Sequence, residues 1–173
     1  MNALSMIQRC GAAQSGLRFV MGIRAITLAL RRIVEEGGEH NFFILRADEA
    51  KNYYVQFAAS RGETTARAEA VSNLYLEPAD MLSLRRSKAL LALGWNPPTP
   101  GQSPNFYRDW EVRDAETRRE MARLALRTLI EIYGLKPTEP VGLKLHLQRV
   151  STADSGLAQD LEAGDHLEVA STR

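Results

Sequence analysis

The sequence predicts an α+β domain, an antiparallel sheet with helices packed on one face, and three observations predict it. An apolar repeat at helical spacing opens the folded region, three short β-rich runs divided by polar turns follow, and a longer helical repeat comes after a proline-rich break. The order is α-β-β-β-α-β-α, with an extra edge strand after the last helix. A chain of 173 residues, 45% hydrophobic and 25% charged, suits one globular domain with a substantial core.

From Gly22 to Glu36 the residues Ile23, Ile26, Leu30, Ile33 and Val34 recur at helical spacing, and Gly37 and Gly38 end the pattern. Asn41 to Ala47, rich in Phe and Ile, reads as a strand, and Asp48 to Lys51 turns into a second strand starting near Asn52. Arg61 to Thr64 turns into a third, from Thr65 to about Leu76. Pro78 and Asp80 mark a helix entry with Asp80 as the expected N-cap; Leu82, Leu90, Leu91 and Leu93 are its apolar positions, Gly94 stops it and Trp95 is expected to fold back over its end. Asn96 to Pro104 holds four prolines, which restrict themselves and the residues before them to a rigid loop. A short strand is expected over Asn105 to Val112. Asp114 then caps a helix to Tyr133 with Met121, Leu124, Ala125, Thr128, Leu129 and Ile132 on one face, closed by Gly134 and Pro137. The alternation from Leu143 to Val150 suits an edge strand.

These elements divide the chain into an N-terminal extension over 1–21, a domain over 22–150 and an acidic tail over 151–173, expected to be disordered. Met6 and Met21 offer alternative starts, so the extension is expected to be poorly ordered or to precede the true initiator.

Turn length sets the strand registers. Closing the loop Arg61–Thr64 pairs Ser60 with Thr65 and sets Gln56 opposite Glu69, Tyr54 opposite Val71 and Asn52 opposite Asn73. Closing Asp48–Lys51 in the same way pairs Ala47 with Asn52 and brings Phe43 beside Gln56 and Leu45 beside Tyr54. One sheet face then carries Phe42, Ile44, Val55, Phe57, Ala68 and Ala70, the expected core. The other carries Phe43, Leu45, Tyr54, Gln56, Glu69, Val71, Asn73 and Tyr75, a mixed surface suited to a peptide, a second subunit or the proline-rich loop itself.

Little in the sequence points to catalysis. It has no Gly-rich phosphate loop, HExxH, GxSxG or acid cluster at metal-ligand spacing, and its three histidines stand in separate segments. Glu69 is the best candidate for an ionisable group in a special environment, and a cross-strand pair with Gln56 is the simpler reading. A net charge of +1 supplies no general attraction to nucleic acid or anionic lipid, and the arginines of the last helix alternate with glutamates as on a solvated face. The longest apolar run is interrupted by Arg24, so no membrane span is expected, and the single Cys10 excludes an internal disulfide and suits a reducing cytoplasm.

The segments YVQF at 54–57, AEAVSN at 68–73, LGWNPP at 93–98 and NFYRDW at 105–110 together resemble the bacterial TY-chaperone family, domains similar to type III secretion chaperones and YbjN-like proteins. The resemblance runs from about Asn41 to Leu135. It implies an α+β fold, often dimeric, that binds peptides or client proteins, needs no cofactor and brings no catalytic residues. The leading expectation is therefore a non-enzymatic peptide- or protein-binding domain that uses the mixed sheet face, helped by a free edge strand that can accept another. The alternatives are a small hydrolase with a site near Glu69 and an obligate homodimeric structural subunit.

Overall fold

The computed structural model describes residues 20–137 and 139–148. The helix α1, residues 20–35, buries Ile26, Ala29, Leu30 and Ile33, which lie three or four positions apart and so share one face. Its last carbonyls are closed by a side chain. The Nδ2 group of the buried Asn41 lies 2.9 Å from the carbonyl oxygens of Ile33, Glu36 and Gly38, and its Oδ1 accepts from the Gln148 amide at 2.9 Å. One asparagine thus joins the end of α1, the start of the sheet and the chain beyond its last strand.

The strands are β1 (Asn41–Asp48), β2 (Tyr53–Ala59), β3 (Thr65–Ala70), β4 (Phe106–Glu111) and β5 (Gly142–His146), all antiparallel in the order β4-β3-β2-β1-β5. The α+β architecture read from the sequence is the one observed. Phe43, Leu45, Val55, Phe57, Ala68 and Ala70 line the buried face, where the Phe43 and Phe57 rings stack 4.9 Å apart. The alanines of β3 keep that part of the sheet low, in the same core as Leu30 of α1 and Met121 and Leu129 of the last helical segment.

Gln56 faces Glu69 as expected, but β1 is shifted by one residue. Phe43 pairs with Phe57 and Ile44 with Gln56, because a bulge between Arg46 and Asp48 moves the turn to residues 49–52 with Asn52 at φ 55°. A one-residue slip exchanges the two faces of a strand, so Phe43 and Leu45 are core residues and Phe42 and Ile44 take the mixed face.

The third strand also ends earlier than expected. After Ala70 the Ser72 hydroxyl accepts from the Leu74 amide and starts a 3-10 turn over Asn73–Tyr75, so Asn73 and Tyr75 leave the sheet, while the Val71 amide still bonds the carbonyl of the expected partner Tyr54 at 3.2 Å. Asn52 meets this turn through a bond from its Nδ2 to the Tyr75 carbonyl at 3.1 Å, not by pairing with Asn73. Pro78–Asp80 forms a separate 3-10 turn, and α2 (Leu84–Ala92) is capped by Ser83, whose hydroxyl accepts from the Arg86 amide. Asp80 is not the cap; its carbonyl receives the Tyr53 hydroxyl at 2.7 Å.

Gly94, at φ 96°, ends this region, and Trp95 folds back into the core, where its indole N–H donates to Thr128 Oγ1 at 2.9 Å. Asp114 caps α3 (Ala115–Arg127), and a π-helical turn over Thr128–Ile132 continues it. Thr128 Oγ1 also donates to the Leu124 carbonyl, so one hydroxyl serves both the helix and Trp95 at the place where the winding changes. Of the expected extension 1–21, only 20 and 21 are described, as the start of α1, and the tail 151–173 lies outside the described residues. No helix among the described residues is long and apolar enough to cross a membrane.

Candidate functional site, a braced proline loop and its groove

The polar residues of the mixed face converge on Glu69. Its Oε2 accepts from Gln56 Nε2 at 2.8 Å and from Asn105 Nδ2 at 3.1 Å, and its Oε1 accepts from Ser103 Oγ at 3.0 Å. Three neutral donors therefore hold one carboxylate, and two of them belong to the end of the proline-rich loop. Asn105 is itself buried; its Oδ1 accepts from the Ser72 amide at 3.1 Å, while the Ser72 hydroxyl donates to the Pro104 carbonyl at 2.7 Å. The Tyr54 hydroxyl lies 3.4 Å from Asn105 Nδ2, and its pKa is raised, chiefly by burial and further by the Glu69 charge, against the opposing effect of the Asn105 bond. Glu69 is thus the centre of a polar brace that fastens the loop over the β3–β4 end of the sheet.

The loop is a small hairpin in its own right. Thr99 and Ser103 exchange backbone bonds of 2.9 and 3.1 Å, and Asn96 and Tyr107 exchange bonds of 2.8 and 3.1 Å at its base. Gln102 is held from the outside by the Tyr107 hydroxyl at 2.7 Å and by Arg67, which donates to its carbonyl at 3.2 Å and forms a two-pronged pair with Asp109.

Behind this hairpin lies a groove of about 720 Å³, bounded by residues 72–74, by Ser87 of α2 and by residues 98–104. Leu74, Pro98, Pro104 and Phe106 give it apolar walls. Leu74 is 70% exposed, and Leu84 and Leu91, three residues before and four after Ser87 on α2, are 72% and 45% exposed. The apolar wall therefore continues along one face of α2, and Tyr75 and Met81 add exposed side chains on the connecting segment.

The residues picked from sequence thus fall into three groups. Tyr54, Gln56 and Glu69 come together beneath the loop. Asn73 lines the groove while its side chain holds both the amide and the carbonyl of Leu82, at 2.7 and 3.0 Å, and Tyr75 lies exposed beside it. Phe43, Leu45 and Val71 are fully buried and cannot contribute to an accessible surface as they stand. Sequence reasoning missed Ser72, Ser103 and Asn105, whose small polar side chains flank the prolines, and it missed Leu84. Among the described residues no three His, Cys, Asp or Glu side chains are grouped to hold a metal.

A family model described as TY-Chap3, T3SS (YopN, CesT) and YbjN peptide-binding chaperone 3, matches residues 24–146. The chain belongs to the TY-Chap3 family. The match runs from the second turn of α1 to the last residue of β5, so brace, loop and groove all lie inside it, and it extends on both sides beyond the resemblance seen in the motifs. Neither the curated proteins nor the solved structures contain a match. TY-Chap3 is a family of peptide-binding chaperone domains.

Proposed function

We propose that this TY-Chap3 domain is a non-catalytic peptide-binding module that holds an extended, partly apolar client segment in the groove between the proline loop and α2. The observation that carries the reading is the coincidence of an apolar groove of about 720 Å³ with leucines that the fold leaves in water beside it. Prolines suit such a wall because their backbone is already restricted, so binding orders little that was free. Ser87 and Gln102 supply polar groups at the edges of the groove. In this reading Tyr54, Gln56 and Glu69 are positioning residues that hold the loop, Asn73 shapes the wall and Tyr75 extends the rim.

The three donors take two bonds on Glu69 Oε2 and one on Oε1, leaving about one acceptor position for substrate or water, which argues against a hydrolase centred there. The outer edge of β5 offers a second place, where a client strand could add to the sheet. The two sites separate experimentally. Binding of a permanently unfolded, reduced and carboxymethylated model protein, read by fluorescence anisotropy, weakens about tenfold in Leu74→Asp and in Leu84→Asp with melting unchanged. Unchanged affinity in both variants, or a loss confined to Leu143→Pro at the β5 edge, contradicts the groove assignment.

A further inference from the structure

We propose that in the free protein the groove and its leucine stripe are occupied by the chain's own acidic segment, residues 154–169, and that a client must displace it. The proposal rests on the reading of the groove as a peptide site and adds an internal competitor to it. Two kinds of complementarity support it. The α2 helix, LRRSKALLA, carries Arg85, Arg86 and Lys88 and no acid, and among the described residues these three cations form no ion pair. Five of the seven arginines of α1 and α3 behave differently: Arg31, Arg32, Arg119, Arg123 and Arg127 each pair with a glutamate on their own helical segment, while Arg24 and Arg118 form no ion pair among the described residues. Among the described residues no carboxylate lines the groove.

Residues 154–169, DSGLAQDLEAGDHLEV, invert that chemistry. They hold carboxylates at 154, 160, 162, 165 and 168, no lysine or arginine, and Leu157, Leu161, Leu167 and Val169 between them. The leucines match the exposed Leu74, Leu84 and Leu91, and the carboxylates match the cations of α2, of which Lys88, next to Ser87 in the chain, lies nearest the Leu84–Leu91 stripe by helical spacing.

The connection is long enough. The described chain ends at Gln148, just past β5, on the far side of the sheet from β4, to which the loop is pinned. Four strand spacings separate those edges by roughly 20 Å, and the residues from Gln148 to Leu161 reach roughly 40 Å when extended. A tether of that length holds its segment at an effective concentration on the order of millimolar, so a weak intrinsic affinity suffices for occupancy and a modest client affinity suffices to displace it.

Zero-length carbodiimide coupling of the intact chain, digested and read by mass spectrometry, tests this directly. After each amine is normalised to its reactivity toward an acetylating reagent, monomeric protein is expected to join Lys88 to Asp160, Glu162 or Asp165 about tenfold more often than it joins the same carboxylates to Lys51 or Lys136. The excess disappears in Leu84→Asp and shrinks as salt rises. Links spread evenly over the lysines, or Lys88 links found only in dimers, overturn the proposal, the second outcome assigning the surface to another copy of the chain. In the same full-length protein, Leu157→Ser with Leu161→Ser should tighten binding of the unfolded model protein several-fold. Groove-dependent binding without the Lys88 links defeats the internal competitor alone, whereas no binding by either wild type or the double variant defeats the groove function itself.

Discussion

At the scale of single residues, the carboxylate of Glu69 decides whether the mixed face is an active site or a support. With three donors converging on it, truncation leaves Gln56, Ser103 and Asn105 without their acceptor. Glu69→Ala should therefore cost about 2–3 kcal/mol in denaturant unfolding and open residues 97–104 to proteolysis, while Glu69→Gln, which keeps an acceptor oxygen, costs less. Tyr133 supplies a second residue-scale test. Its hydroxyl donates to the Val71 carbonyl at 3.0 Å, and burial raises its pKa well above the ordinary value. A raised folded pKa means that the native state keeps a proton the unfolded chain has lost. The associated stability is complete below about pH 10, the unfolded value, and is lost as pH rises toward the folded one. Tyr133→Phe should flatten that alkaline fall in a melting-temperature profile. The Gln56–Glu69 pair was legible because the four-residue turn between their strands closes without irregularity. The burial of Phe43 and Leu45 was not, because the bulge before Asp48 depends on Asn52 adopting a left-handed conformation that composition alone does not specify.

Among the elements, the segment from β3 to α2 departs furthest from expectation and carries most of the proposed site. The alternating pattern predicts a strand to Leu76, yet Ser72 stops it by turning its hydroxyl onto the Leu74 amide. A local side-chain bond thus outweighed strand propensity. The same competition places the α2 cap at Ser83, three residues beyond Asp80. Ser83→Ala should lower stability by about 1 kcal/mol. Within α2 the two kinds of leucine should separate cleanly: Leu90→Ala, in the core, costs about 2–5 kcal/mol, whereas Leu91→Ser on the exposed stripe changes stability by less than about 0.5 kcal/mol and weakens peptide binding. The rigidity of the Asn96–Pro104 loop could be read from its prolines. Its attachment could not, since the bond from Ser103 to Glu69 spans 34 positions in the chain.

Over the whole molecule, the helix and strand order and the buried face of β2 and β3 follow from hydrophobic periodicity, which local sequence carries well. The groove does not, because its walls come from residues 72–74, from Ser87 and from the loop at 98–104, and only the folded sheet and α2 bring those together. The brace explains why they stay together. Glu69 on the sheet fixes Ser103 and Asn105, Asn105 fixes Ser72, and Ser72 begins the turn that presents Leu74. The measurement that tests this arrangement most directly is hydrogen exchange of the intact chain with and without the carboxymethylated unfolded model protein. The account predicts slowed exchange at residues 72–75, 84–91 and 97–104 on binding, and loss of that protection in Glu69→Ala. Protection confined to β1 and β5, or binding that leaves those three segments unchanged, would contradict it.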